Sequence, residues 1–167
     1  MNYTGRMEEL TGSAARVAEE LRRLGLAGEV REMPESTRSA QEAAAAIGCD
    51  VAQIVKSLVF RAAERDDPVL VLVPGSVRVD EAKLAEAVGE PVEQATGKFV
   101  RDKTGFAIGG VAPVGHSQPV AAYMDEGLLS HEVVWAAAGT PRSVFPIDPH
   151  DLQRVTKAKV TDLASPA

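Results

Sequence analysis

Lys56 stands in the run VAQIVKSLVF, residues 51–60, where branched and aromatic residues dominate. In an extended chain alternate side chains share a face, so Lys56 falls in phase with Ile54, Leu58 and Phe60. An ammonium on an apolar face is costly unless it is paired or used, and desolvation makes it responsive to its surroundings. Two structural roles compete with a chemical one. The stem can snorkel from a strand end, or an edge strand can carry the charge to block aggregation. A desolvated lysine also suits imine chemistry with a small carbonyl compound.

The second candidate is the loop Gly109, Gly110, Val111, Ala112, Pro113, Val114 and Gly115. Its glycines let backbone amides come close to a ligand, and its proline fixes the turn, so it can cradle a carbonyl or an oxyanion. The same composition also makes a tight connection between strands. The third is Ala136-Ala137-Ala138-Gly139-Thr140-Pro141, whose small side chains leave room for close approach.

Other chemistries are absent. The chain has no nucleophile elbow, P-loop, HExxH or CxxC pattern, and His116, His131 and His150 lack metal-ligand spacing. No metal or other cofactor is expected. The one cysteine, Cys49, follows Gly48 at a helix end, where no dipole lowers its pKa, and it reads as a small core residue. A single cysteine suits a reducing cytoplasm, and MNYTGRMEEL lacks the apolar core of a secretory signal. The formal charge of -6 lacks the balance that drives general binding to a phosphate backbone. Any action on a nucleic acid needs a local basic patch, contact with one end only, or a partner protein.

The elements that must position these residues follow from local signals. Ala14, Val17, Leu21 and Leu24 have helical spacing from Thr11, with Gly25 and Gly28 beyond. GEVREM, 28–33, reads as a short strand before Pro34, and Ser36 or the Ser39/Glu42 capping box opens a second helix closed by Gly48. The Lys56 strand follows, then the exposed loop ERDDP and the strand VLVLVP. Asp80 caps a helix to Val88, with Val79 and Leu84 as a hydrophobic staple. A short helix near 97–103 precedes the glycine-rich loop; VAAYM, EVVWAAAG and SVFPI read as strands, and Asp148-Pro149 opens a closing helix. Consecutive strands after residue 105 exclude a regular βα alternation and predict a single α+β domain over 1–167 with a mixed or antiparallel sheet. No apolar run is long enough to span a membrane.

Taken in order, the lysine of IVKSLVF, the Gly109 to Pro113 GxxxP within GGVAPVG, Asp125 of YMDEGLL and the closing AAGTPRSVFPIDPHDL resemble the YbaK/prolyl-tRNA-synthetase-associated family of aminoacyl-tRNA editing domains. The resemblance covers residues of about 30 to 163. It implies a mixed, barrel-like sheet surrounded by helices, and a free-standing, cytoplasmic, trans-editing deacylase acting on the acceptor end of a mischarged tRNA, with prolyl-tRNA synthetase as the partner it suggests. Lys56 would then hold the terminal adenosine or the ester and favour developing negative charge. The substrate site would comprise Gly109, Gly110, Val111, Ala112, Pro113, Gly115, His116, Gly139 and Thr140. No general base stands out in the sequence. Family members suggest a water assisted by the substrate's ribose hydroxyl or by a cysteinyl thiol, with His116 as a base or orienter. Ser57 follows Lys56 where the alanine-editing branch tends to have Asn, which counts against alanine specificity; among Cys-, Ser- and Ala-tRNA(Pro) it leaves Cys, Ser or another small aminoacyl group open. The rival reading is a catalytically silent module that binds an aminoacyl or nucleotide group.

Overall fold

The computed structural model describes residues 12–33 and 39–165. Its helices are α1 (Gly12–Arg23), α2 (Ala40–Ile47), α3 (Glu81–Val88), α4 (Gly97–Thr104) and α5 (Pro149–Thr156). Its strands are β1 (Arg31–Glu32), β2 (Val55–Ala62), β3 (Asp67–Pro74), β4 (Val92–Gln94), β5 (Ala121–Asp125), β6 (Val134–Ala137), β7 (Ser143–Ile147) and β8 (Lys159–Thr161).

The helix starts are where cap chemistry puts them. Ser39 and Glu42 form the reciprocal box at α2, while the alternative start at Ser36 lies outside the described residues. Asp80 accepts from the amides of Ala82 and Lys83, and Asp148 from that of His150, ahead of Pro149. Val79 and Leu84 pack in one cluster, as the staple requires.

The sheet is mixed: β2 is antiparallel to β3 and β4, whereas β5 runs parallel to β3 and β8. It is not barrel-like. The strands divide into a five-stranded sheet, β4-β2-β3-β5-β8, and a three-stranded sheet, β1-β7-β6. One isolated parallel bridge, Ile54 to Trp135, joins them. A barrel needs hydrogen bonding around the full circumference. Here β4 and β8 end the larger sheet at opposite edges and do not pair.

β3 is buried from Pro68 to Pro74 because helices and the second sheet cover both its faces. On one face Leu70 and Leu72 meet Val17 and Leu21 of α1, Val100 of α4, Leu152 of α5, and Phe145 and Ile147 of β7. On the other, Val69, Val71 and Val73 meet Phe60 and Leu84. Three readings shift. Residues 51–53 form a short 3-10 turn rather than strand, held by Gln53 Oε1 accepting from the Asp50 amide at 3.0 Å. The strand predicted over 28–33 pairs only at Arg31 and Glu32, opposite Val144 and Ser143. β4 and β8, three residues each, carry no strand pattern of their own and exist through their partners.

Candidate active site

Lys56 pairs with Val73 in the β2–β3 ladder, near the end of β2 where the two sheets meet at Ile54 and Trp135. It is half-buried and forms no hydrogen bond or ion pair among the described residues. Burial, with the nearby positive charge of Arg78 second, holds its pKa below the ordinary lysine value. The next side chain, Ser57, has its Oγ shielded from solvent and without a partner among the described residues.

Both residues line a cavity of ≈ 340 Å³. Ala40 and Ala43 of α2 form one wall, Trp135 to Ala137 of β6 another, and Ile108, Gly109 and Val111 a third. Thr140 and Ser143 complete the rim. The wall at α2 comes close because Gly75 has no side chain: a Cβ there would lie 2.6 Å from the Val51 carbonyl oxygen and 2.7 Å from Ala40 Cβ.

The structure places the sequence-predicted residues in three groups. Lys56, Gly109, Val111 and Thr140 face the one cavity. Gly109 sits at φ +92° in a turn closed by the Gly110 amide donating to the Ala107 carbonyl at 3.0 Å. The amides of Gly109 and Val111 have no hydrogen-bond partner among the described residues.

Gly110, Ala112 and Gly139 support the cavity from behind. Gly110 is buried against the 139–140 backbone, where an added Cβ would lie 2.8 Å from Thr140 Cα. Gly139 is packed on Ser13 of α1. Ala112 is in the core. Pro113, Gly115 and His116 line a different recess, with Arg16 and Lys157. The predicted set is therefore split at Ala112.

Thr140 is a less free donor than its position suggests. Ser143 Oγ donates to Glu32 Oε2 at 3.0 Å, so the 2.6 Å contact between the two hydroxyls is a donation from Thr140 to Ser143. Thr140 Oγ1 also accepts from the Arg142 amide at 3.2 Å. Its hydroxyl fixes the turn after β6.

Burial, then Ala112 and Arg16, set the state of His116: desolvation lowers its pKa, the hydrogen bond to the Ala112 carbonyl opposes this, and Arg16 adds to the lowering. Asp125 is structural. Its carboxylate accepts from the amides of Leu163 at 2.8 Å and Gly127 at 3.0 Å, at 3% exposure. Cys49 is half-buried at the edge of the Ala43, Ala44 and Ile54 cluster rather than inside the core, and burial raises its thiol pKa.

Residues missed in the sequence reading are Ile108, Trp135, Gly75 and Arg78. Ile108 is 60% exposed at the cavity mouth, and Arg31 stacks 4.8 Å over the Trp135 ring. Only Ile108 gave a signal, as a large apolar residue ahead of two glycines.

Comparison with known proteins agrees with this architecture. Residues 34–155 match the family model described as an aminoacyl-tRNA editing domain. A solved structure described, provisionally, as a trans-editing enzyme for prolyl tRNA synthetase is 50% identical, with a TM-score of 0.89 over 95% of this chain and 100% of that one. The uncharacterised Bacillus subtilis protein YwhH is 30% identical over 132 residues, 79% of this chain and 83% of that protein. EbsC of Enterococcus faecalis, provisionally assigned as a Cys-tRNA(Pro)/Cys-tRNA(Cys) deacylase, is 26% identical over 78% of this chain and 80% of its own length. By sequence over most of its length, and by fold, this chain belongs to the aminoacyl-tRNA editing domain family.

Proposed function

We propose that the chain is a trans-acting deacylase that hydrolyses the ester of a mischarged aminoacyl-tRNA. The observation that carries this is the half-buried Lys56, unpaired among the described residues, in one small cavity lined also by Gly109 and Val111, whose amides have no partner among the described residues. Family membership supplies the reaction class.

In this reading the acceptor end enters past Ile108, and the aminoacyl group lies among Ala40, Ala43, Ile54 and Trp135. The ammonium of Lys56 holds the ester end and stabilises negative charge as water adds to the carbonyl carbon. The Gly109 and Val111 amides donate to the oxyanion. The carbon–oxygen bond to the ribose then breaks, its oxygen takes a proton, and the free amino acid and intact tRNA leave. Since His116 lines the other recess, the water's proton is relayed through the neighbouring ribose hydroxyl to the departing ribose oxygen, or, for a cysteinyl substrate, is taken by its thiolate. A cavity of this size, walled by alanines, suits a small group such as Cys, Ser or Ala on tRNA(Pro). A prolyl-tRNA synthetase is the partner this predicts, in the cytoplasm.

The test is deacylation of Ala-, Cys- and Ser-tRNA(Pro) by wild type and Lys56→Ala, with and without prolyl-tRNA synthetase. Hydrolysis that vanishes in the variant is expected. Undiminished turnover by a folded Lys56→Ala protein refutes the mechanism, and tight binding of every ester without turnover replaces it with the silent module.

A further inference from the structure

The proposed reaction leaves a second recess unused. Its volume of ≈ 750 Å³ exceeds that of the Lys56 cavity, and it is lined by α1, the loop from Pro113 to Pro119 and the end of α5. Three cations, Arg16, Arg23 and Lys157, stand around it against one carboxylate, Glu20. Arg23 already holds that carboxylate through contacts of 2.9 and 2.5 Å. Arg16 lies 4.5 Å over the Phe106 ring and donates to the Gly105 carbonyl at 3.2 Å. Neither Arg16 nor Lys157 has a carboxylate partner among the described residues. In a chain of formal charge -6, this is a local excess of positive charge at a concave surface.

His116 adds a second kind of group. Its Nε2 lies 2.7 Å from the Ala112 carbonyl oxygen. A carbonyl only accepts, so Nε2 carries the hydrogen and Nδ1 is left as a bare acceptor. Nδ1 is shielded from solvent and has no partner among the described residues. Because Nδ1 is shielded, the cations carry the site, and a nucleic-acid strand, which repeats a phosphate at every nucleotide, satisfies them.

The two cavities are also close along the chain. Gly109 lines one and Pro113 the other, four residues apart, so their Cα atoms lie within about 14 Å. That is about four nucleotides of a stacked strand at about 3.4 Å each. We infer that this recess binds the phosphates of an RNA strand through Arg16, Arg23 and Lys157. On the proposed function, the strand is the acceptor arm next to the ester end held at Lys56.

The test uses uncharged tRNA, so it does not depend on whether any ester is hydrolysed. Binding is measured over a series of salt concentrations for wild type, Arg16→Gln, Lys157→Asn and the double variant. Gln keeps an amide donor for Gly105, and Asn tolerates the φ of 57° at residue 157. Arg61→Gln, whose parent residue pairs with Asp66 and Glu93, removes the same charge elsewhere. Each recess variant is expected to weaken binding and to lower the slope of log K against log salt by about 0.7–0.9, and Arg61→Gln to leave it unchanged. An unchanged slope in the double variant overturns the inference, as does an equal fall with Arg61→Gln. Tight binding of adenosine monophosphate that needs Arg16 and Lys157, without any change for tRNA, overturns it in favour of a free nucleotide. A failed hydrolysis panel with these slopes intact would sink the deacylase and leave the RNA site standing.

Discussion

Gly110→Ala tests whether the cavity depends on backbone approach. A Cβ at residue 110 would lie 2.8 Å from Thr140 Cα, 3.0 Å from Thr140 N and 3.1 Å from the Gly139 carbonyl carbon. Carbon atoms in contact prefer about 3.5–4.0 Å, so the loop and the 139–140 segment must separate by at least about 0.7 Å. All three contacts are backbone, so no side-chain rotation relieves them. Overpacking of this kind costs about 1–3 kcal/mol, which in a domain of this size lowers the unfolding midpoint by roughly 2–12 °C. The same shift moves the Gly109 and Val111 amides relative to Lys56, and a misplacement near 1 Å costs about 100-fold in rate. Thermal unfolding and deacylation of the substrate identified by the panel read the two effects. Gly109→Ala is the comparison: no atom lies within 4 Å of its Cβ, but its φ of +92° strains any side chain. It should lose stability and keep more turnover than Gly110→Ala. Wild-type stability and turnover in Gly110→Ala would refute the idea that this contact sets the site.

Two further outcomes follow from the buried groups. Asp125→Ala leaves the Leu163 and Gly127 amides without their acceptor, at about 1–3 kcal/mol each, so a loss of about 2–6 kcal/mol in denaturant unfolding is expected, with Asn in its place recovering part of it. A loss under about 1 kcal/mol in the alanine variant would remove Asp125 as the tie between β5 and the chain end. Lys56 has its folded pKa held below the unfolded value, chiefly by burial, so the folded state sheds its proton first as pH rises. Its penalty is fully present below the folded pKa and is relieved between that value and the unfolded one near 10.5. The stability advantage of Lys56→Met over wild type should therefore shrink as pH rises through that window, and a difference independent of pH would contradict the assignment.

How much of this was legible in the sequence depended on whether the signal was local. The phase of Lys56 with Leu58 and Phe60, the Ser39/Glu42 box and the caps at Asp80 and Asp148 each need only a few neighbouring residues, and each is present. The separation into two sheets was not legible, because it depends on β7 pairing with β1 and β6 while β5 inserts beside β3, contacts between distant segments. The same holds for β4 and β8 and for Asp125, whose acceptor role depends on an amide 38 residues later. The family resemblance named the loop from Gly109 to His116 as one site. Its division between two cavities at Ala112 depends on which side chain the core takes, and glycine spacing does not encode that.

That division explains how so irregular a segment can hold the amides of the proposed site in place. Val111, Ala112 and Val114 are buried in the main core, and Phe106 anchors the loop's entry at 1% exposure. The loop is also tied to its surroundings by hydrogen bonds: the Ser117 amide donates to the Thr104 carbonyl at 3.0 Å, Gln118 Nε2 to the Lys103 carbonyl at 2.9 Å, and His116 Nε2 to the Ala112 carbonyl at 2.7 Å. A loop pinned at both ends and through its middle loses little entropy when a ligand binds, so its amides are pre-set rather than recruited. Because one rigid segment forms a wall of each cavity, a strand seated at Arg16 and Lys157 would fix the distance to Lys56 without any closing motion. Affinity contributed in the second recess would then appear as positioning in the first.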